Sequence, residues 1–507
     1  MRPDSGITLP LDRHDVNEEV AVDGLHTLGR WTRDAAGRTP DRIAIDDGTT
    51  RVSYAELDSR AERLARVLRR YPPGSRIATV TGNSADHVVL FFACAKARLV
   101  LVPLSWRLSA REIAAQLAHA APALVLVEPA FADLAHAADS LGPDGIESGT
   151  VAGALEPVRD DDPLLMLYTS GTSGRPKGVV LSHANCFWTN LSLSRAVPMA
   201  PDDVVLAVLP QFHVGGWNVQ PLLAWWVGAT VLLARGFDAG HVLQQIGERS
   251  VTTMMGVPTN YLFLAEHPDF AAADLSSLRR AVVGGAPMPP ALLRTWHARG
   301  VDLIQGYGLT EAAPNVLCLP SHVAAEKLGF AGRPYPYVEV AVADPATGAL
   351  QPDSPADGEL LVRGPNVFTG YWHDPDATAH ALRDGWLHTG DLVHRDKDGY
   401  YRIEDRVDDM FVSGGENVFP SEVENVLYGH PAVAEVAVVA RPDPRWGQVG
   451  LAFVVRRPSS DVTEAELIDR CRADLAGYQV PKEIRFVGSL PHSAVGKLLR
   501  RNLREES

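Results

Sequence analysis

The sequence predicts an α/β protein. A large N-terminal region of doubly wound parallel sheets, carrying a small β subdomain, is followed by an α+β C-terminal domain. Three observations predict this. Short apolar runs alternate with helical patterns from residue 53 to about residue 305, the signature of parallel strands with covering helices. From about residue 330 the apolar runs continue without helices between them. A polar stretch, Glu404-Asp405-Arg406-Val407-Asp408-Asp409, then separates two apolar segments. We expect the domains to divide there, as 1–405 (β subdomain about 330–405) and 406–507. At 507 residues the chain is too long for one core.

Taken in order, residues up to about 47 read as an irregular lead-in. Ser53 and Glu56 have capping-box spacing and open a helix with Leu57, Leu64, Val67 and Leu68 on one face. Strands are expected at 76–80, 99–102 and 123–127, with a helix at 84–97 and another opened by the Ser109–Glu112 capping box. Residues 142–154 read as a surface connection. Strands resume at 164–168, 204–209, 229–233, 251–255, 280–284 and 301–305. The β subdomain has strands at 338–342, 358–362 and 400–403. The last domain has helices from Glu422 and Glu464 and strands at 433–439, 451–455 and 484–487.

Bulk composition narrows the function. Apolar residues at 46% with 21% charged residues are ordinary for a globular protein. The net charge of −15 argues against nucleic acid or an anionic membrane as partner. Residues 1–20 are charged and lack the apolar segment of a signal peptide. The uncharged stretch between Asp203 and Arg235 is interrupted by Pro210, Gly215, Gly216 and Pro221, so no integral membrane association is expected. Four scattered cysteines without C-x-x-C spacing fit a cytoplasmic protein with neither disulfides nor zinc.

One stretch organises the chemistry. Tyr168-Thr169-Ser170-Gly171-Thr172-Ser173-Gly174-Arg175-Pro176-Lys177-Gly178-Val179 lies between two apolar runs. Glycines let backbone N–H groups approach an anion, the hydroxyls add short donors, and Lys177 adds charge. The loop is therefore built for phosphates, yet it is not a Walker loop, because Gly178 follows Lys177. Three further motifs also fall at the carboxyl ends of expected strands, where ligands gather in such sheets. They are Pro210-Gln211-Phe212-His213, Gly284-Gly285-Ala286-Pro287 and Gln305-Gly306-Tyr307-Gly308-Leu309-Thr310-Glu311.

The phosphate loop resembles the signature of the adenylate-forming superfamily: acyl-CoA synthetases, carrier-protein-charging adenylation domains and luciferases. Four more matches follow in the superfamily's order between Gln305 and Lys497, including Asp384-Gly385-Trp386-Leu387-His388-Thr389-Gly390-Asp391 and Pro491-His492-Ser493-Ala494-Val495-Gly496-Lys497. The resemblance spans nearly the whole chain and is greatest to the fatty-acyl-CoA synthetase branch. It implies that a carboxylate and ATP form an acyl-adenylate and pyrophosphate, and that the acyl group then passes to a thiol. ATP, Mg²⁺ and coenzyme A are the implied cofactors. The alternative acceptors are a free-standing carrier protein or an amine.

The resemblance also implies roles. Thr169, Ser170, Gly171, Thr172, Ser173, Gly174 and Lys177 hold the β- and γ-phosphates. Thr310 contacts the α-phosphate, and Glu311, with Thr172, serves Mg²⁺. Asp391 accepts the ribose hydroxyls and Arg406 meets ribose or phosphate. Gly285, Ala286, Pro287, Gln305, Gly306, Tyr307 and Gly308 border the nucleotide. Lys497 is the catalytic lysine bridging carboxylate and α-phosphate; Val495 stands where the superfamily usually has Thr or Ser. The C-terminal domain is mobile, turning about a hinge at Asp408. That rotation withdraws Lys497 and brings up the Ser413-Gly414-Gly415-Glu416-Asn417 loop, where Gly414 and Gly415 admit the pantetheine arm of CoA.

The acyl pocket is assigned to His213, Trp217, Asn218, Val257, Asn260, Gly284, Gly306 and Val316, which carry no formal charge. Amino-acid-activating relatives have Asp where His213 stands, and malonate-activating relatives have Arg where Gly306 stands. An apolar acid, fatty or aryl, is therefore expected. His213 either gates the carboxylate or is a hydrogen-bonded core histidine.

Overall fold

The computed structural model describes residues 23–505 except 137, 138, 140, 143, 144, 151, 152, 154, 171–175, 302, 325, 408, 459 and 493–497. Two large sheets form the N-terminal region. The first has nine strands, in the spatial order Arg333–Pro334, Asn315–Leu319, Leu303–Gly308, Arg280–Val283, Thr253–Gly256, Val204–Ala207, Thr230–Leu233, Ile43–Asp46 and Arg51–Ser53. Its centre is parallel and its two edges antiparallel. The second has six: Gly370–Tyr371, Pro176–Ser182, Pro163–Ser170, Val100–Leu104, Arg76–Val80 and Leu124–Val127.

Strands buried on both faces must be apolar throughout, and Val100–Leu104 is buried at every position. The helix Ala85–Ala97 is apolar nearly all round, as a helix packed inside a core must be. Its Phe91 stacks on Trp217 with ring centres 4.7 Å apart. Ser84 and Ser109 cap their helices as expected, and Ser109 with Glu112 completes a capping box. At Ser53 only half the box forms, its hydroxyl accepting from Glu56 N.

From residue 23 on the lead-in is not irregular; residues 1–22 lie outside the described residues. Gly29–Arg38 is a helix that buries Trp31 and Ala35, and Ile43–Asp46 and Arg51–Ser53 extend the nine-stranded sheet. The helix escapes a sequence reading because no side chain caps its start. The antiparallel β sheet is built from Glu339–Ala343, Ala356–Arg363, Trp386–Arg395, Leu382–Arg383 and Tyr401–Arg406. Two departures mark this region: a helix, Pro375–Ala381, interrupts it, and Gly370–Tyr371 leaves it to pair with Pro176–Ser182. In the last domain a sheet around Val433–Asp443 and Gly447–Arg456 packs on helices Pro420–Tyr428 and Glu464–Asp474. The stretch 413–417, expected as a loop, belongs to a hairpin of Phe411–Ser413 and Glu416–Val418. Gly414 and Gly415 turn it with φ of 63° and 93°, the pair of positive values that a two-residue hairpin turn requires. No helix among the described residues is long and apolar enough to cross a membrane.

Two core histidines make stability depend on pH. Burial pushes His87 and His183 down to about 4. His183 Nδ1 accepts from Leu28 N at 3.1 Å, a bond that protonation breaks. Between pH 6.5 and 4 the unfolded chain binds more protons than the folded one, so stability falls as pH falls through that window. The expected loss is about 2 kcal/mol per histidine between pH 7 and pH 5. Denaturant unfolding at both pH values checks this; an unchanged midpoint counts against it.

Candidate active site

Four adjacent parallel strands end at one edge of the nine-stranded sheet: Val204–Ala207, Thr253–Gly256, Arg280–Val283 and Leu303–Gly308. Gly284 and Gly306 directly follow the register pair Val283–Gln305. A Cβ on Gly284 would lie 3.0 Å from Gly306 O and 3.3 Å from Met255 Cε, and one on Gly306 would lie 3.8 Å from the Tyr335 hydroxyl. The two glycines thus leave a bare, uncharged floor between Met255 and Tyr335. Gly285 takes φ +82°, and Ala286 and Pro287 lie exposed beyond it. Gln305 is buried, its Nε2 without a hydrogen-bond partner among the described residues.

Gly308 is obligatory, since a Cβ there would sit 1.8 Å from Pro314 O. That close approach lets the chain turn into the short 3-10 helix Thr310–Ala312, which presents Thr310 and Glu311 at the end of the strand. Glu311 is held from both ends. Its carbonyl accepts from Phe368 N at 2.8 Å, and its Oε1 accepts from the Tyr371 hydroxyl at 2.8 Å.

The phosphate loop joins two antiparallel strands, with Thr169 opposite Lys177 and Ser170 opposite Pro176. Gly171, Thr172, Ser173 and Gly174 lie outside the described residues. Lys177 Nζ stands 4.9 Å from the centre of the Tyr371 ring. The third group comes from the β subdomain, where Asp391 and Arg406 are register partners. Asp391 Oδ1 pairs with Arg406 Nε at 2.8 Å, and its Oδ2 accepts a short hydrogen bond from the Tyr307 hydroxyl. Burial and the adjacent Asp391 anion push the Tyr307 phenol far above its ordinary range, so it remains a donor. Burial opposes the charge on Arg406, but the carboxylates of Asp391, Glu311 and Asp409 outweigh it and raise the Arg406 pKa. The structure thus forms two contact groups, Lys177–Tyr371–Glu311 and Tyr307–Asp391–Arg406, and the Arg406 cation is near enough to feel the Glu311 charge.

Other expected site residues are placed differently. Trp217, Asn218 and Val316 have no exposed surface. Trp217 donates to Gln211 O, and Asn218 is bonded to Asn190 and the Cys186 thiol. They form the wall behind the cleft rather than its surface. Asn260 spends its Oδ1 on Val257 N at 2.9 Å, closing the helix start beside Gly285. His213 is not a hydrogen-bonded core residue: its buried Nε2 has no partner among the described residues. Burial, with the nearby Arg107 cation, pushes it down to about 4, so it is neutral at physiological pH. Gly414 packs against Trp446, a Cβ there meeting the indole at 2.8 Å, and Gly415 completes the turn. Lys497 and Asp408 lie outside the described residues.

Two neighbours were missed. Tyr371 carries no signal by itself in Gly370-Tyr371-Trp372. Arg107, whose guanidinium lies over Phe212, was findable: it follows the carboxyl end of the parallel strand Val100–Leu104.

The model of the AMP-binding enzyme family matches residues 32–372, and that of the AMP-binding enzyme C-terminal domain matches residues 422–497. The chain belongs to this family of AMP-binding enzymes. It is 41% identical over 484 residues to a feruloyl-CoA synthase of an Amycolatopsis species, covering 94% of this chain and 98% of that one. It is 36% identical over 505 residues to the fatty acid–[acyl-carrier-protein] ligase ScoC of Streptomyces coeruleorubidus, covering 95% and 96%. Among solved structures it resembles the o-succinylbenzoate coenzyme A synthetase MenE of Bacillus subtilis in complex with ATP and magnesium ion. The TM-score is 0.85 at 31% identity, covering 94% of this chain and 99% of that one.

Proposed function

We propose that this chain is an ATP-dependent acyl-CoA synthetase for an apolar carboxylic acid, fatty or aryl. A carboxylate oxygen attacks the α-phosphorus of ATP and the bond to pyrophosphate breaks. The CoA thiol then attacks the acyl carbonyl carbon and AMP leaves. The observation that carries this reading is the pair of contact groups Lys177–Tyr371–Glu311 and Tyr307–Asp391–Arg406, whose Glu311 and Arg406 charges influence one another. It offers cations for the phosphates and a carboxylate for the ribose hydroxyls, and charge building on phosphoryl oxygens needs such fixed positive groups.

MgATP is the substrate in this reading. Mg²⁺ is commonly bound by one or two carboxylates together with substrate phosphates. Glu311 supplies one such carboxylate, with Oε1 engaged by Tyr371; this donor set fits an ion that arrives with the nucleotide. Lys177 and the loop from Thr169 bind the β- and γ-phosphates, Thr310 meets the α-phosphate, and Lys497 bridges it to the carboxylate. His213, neutral and unpaired at Nε2, faces the incoming carboxylate without adding charge. We divide the chain functionally at 405/406 and place the enzyme in the cytoplasm, in keeping with its four free cysteines.

The test is acid-dependent ATP–pyrophosphate exchange across fatty and aryl acids, followed by thioester formation with CoA, with pantetheine and with no thiol. Saturable, CoA-dependent thioester formation is expected; adenylate that accumulates without responding to CoA moves the enzyme to the carrier-protein or amine class. Gly306→Val, which fills the floor beside Tyr335, should abolish exchange with bulky aryl acids and spare short ones. Equal loss for every acid would place the acyl group elsewhere.

A further inference from the structure

The two sides of the triphosphate site come from different sheets. Lys177 belongs to the six-stranded sheet and Glu311 follows the strand Leu303–Gly308 of the nine-stranded one. The segment 365–372 ties the two sheets together. Asn366 Nδ2 donates to Ala312 O at 2.8 Å and to Asn315 O at 3.2 Å, bracketing the turn that carries Glu311. Asn185, at the start of the helix that follows the phosphate-loop strands, donates to Pro365 O and Val367 O at 2.9 and 2.7 Å. The segment then pairs with Pro176–Ser182, Tyr371 opposite Val179, and Trp372 N donates to Gly178 O at 2.7 Å.

Tyr371 stands where this strap crosses the site. Its hydroxyl donates to Glu311 Oε1 and its ring faces the Lys177 ammonium. Lys177 makes no ion pair among the described residues and faces the Tyr371 π system, a contact that attracts a cation without neutralising it. The ammonium thus stays available to a phosphate. Glu311 has one oxygen fixed by a neutral donor and keeps the other for a ligand.

We propose that Tyr371 is a positioning residue for adenylation: it fixes Glu311 and Lys177 relative to one another, so that the metal-bearing and phosphate-bearing sides of MgATP are received together. This rests on the role proposed above for Glu311. Tyrosine has no part in the later transfer of the acyl group to a thiol, because the pyrophosphate end of the site has emptied by then. A merely structural residue would lower both half-reactions alike.

Tyr371→Phe keeps the ring over Lys177 and removes only the hydroxyl. Calorimetric titration of the folded variant with ATP is expected to show affinity about tenfold weaker in the presence of Mg²⁺ and unchanged in EDTA. In pyrophosphate exchange the KM for MgATP should rise by a similar factor, while conversion of supplied acyl-adenylate to thioester stays at the wild-type rate. Tyr371→Leu, which also removes the π face, should weaken ATP binding in EDTA as well. Glu311→Gln is the control. If it abolishes the Mg²⁺ dependence of binding while Tyr371→Phe leaves that dependence intact, the tyrosine proposal is overturned and the Glu311 reading stands. If Glu311→Gln leaves the dependence intact, the Glu311 reading falls and takes the proposal with it. Equal loss of both half-reactions in Tyr371→Phe also overturns it.

Discussion

Lys497→Ala is expected to separate the two half-reactions: acid-dependent pyrophosphate exchange falls by about 10²-fold or more, while supplied acyl-adenylate is still converted to thioester. The ammonium matters only while negative charge builds on the α-phosphoryl oxygens, so its loss is felt in one step. The described residues after 497 are firmly held. Arg500 donates to both oxygens of Glu424, at 2.7 and 2.6 Å, and its other nitrogen reaches Asp409 at 3.4 Å. The guanidinium and Glu424 are both half-buried, so removing either would leave a partly desolvated charge unpaired. Lysine-to-alanine removes none of these contacts, and the variant should fold. A folded Lys497→Ala enzyme that loses both half-reactions equally would refute the role.

Most of the fold was legible because its signals are local. The strands are short, apolar and bounded by glycine or proline, and hydroxyl caps such as Ser84 and Ser109 mark helix starts. What escaped has no local signal. The helix Gly29–Arg38 begins without a capping side chain, and its apolar residues gain their meaning from Trp226, on which Trp31 stacks at 4.9 Å. Gly370–Tyr371 is a strand only because Val179 and Val180 lie opposite it.

The site divides in the same way. Gly308, Gly414 and Gly415 were readable because glycine is required by their geometry: a carbonyl 1.8 Å from an added Cβ in one case, positive φ in the others. Asp391 and Arg406 were readable as motif residues, yet their pairing, and the Tyr307 hydroxyl on Asp391, depend on the register of strands that no motif encodes. Trp217 and Asn218 are pocket residues by resemblance alone, and the short helix Gly215–Asn218 that carries them is buried through its last three residues. Tyr371 sits 60 residues beyond Glu311 in sequence and could be found only by folding the chain.

The hinge prediction follows from what holds the residues on either side of Asp408. On the N-terminal side, Arg406 is paired with Asp391, and Val407 N donates to Gly390 O at 2.9 Å. On the C-terminal side, Asp409 is gripped by Arg504 at 2.7 Å and Arg500 at 3.4 Å, both from the final helix. Residues 406–407 are thus bonded to the β subdomain and Asp409 to the final helix, while Asp409 N and Met410 N also donate to Arg406 O at 3.1 Å; the proposed pivot at Asp408 lies between these two sets of contacts. Ser421 at the head of helix Pro420–Tyr428 also bridges this junction, its N–H donating to Asp405 at 3.0 Å and its hydroxyl to Glu404 O. A rotation must exchange such contacts for others. Asp408→Pro fixes φ near about −65°, removes an N–H and restricts Val407 as well. Adenylate formation should stay within a few-fold of wild type, while thioester formation from supplied adenylate falls by about 10²-fold or more. A variant with normal thioester formation would move the pivot away from 408 or dispense with the rotation.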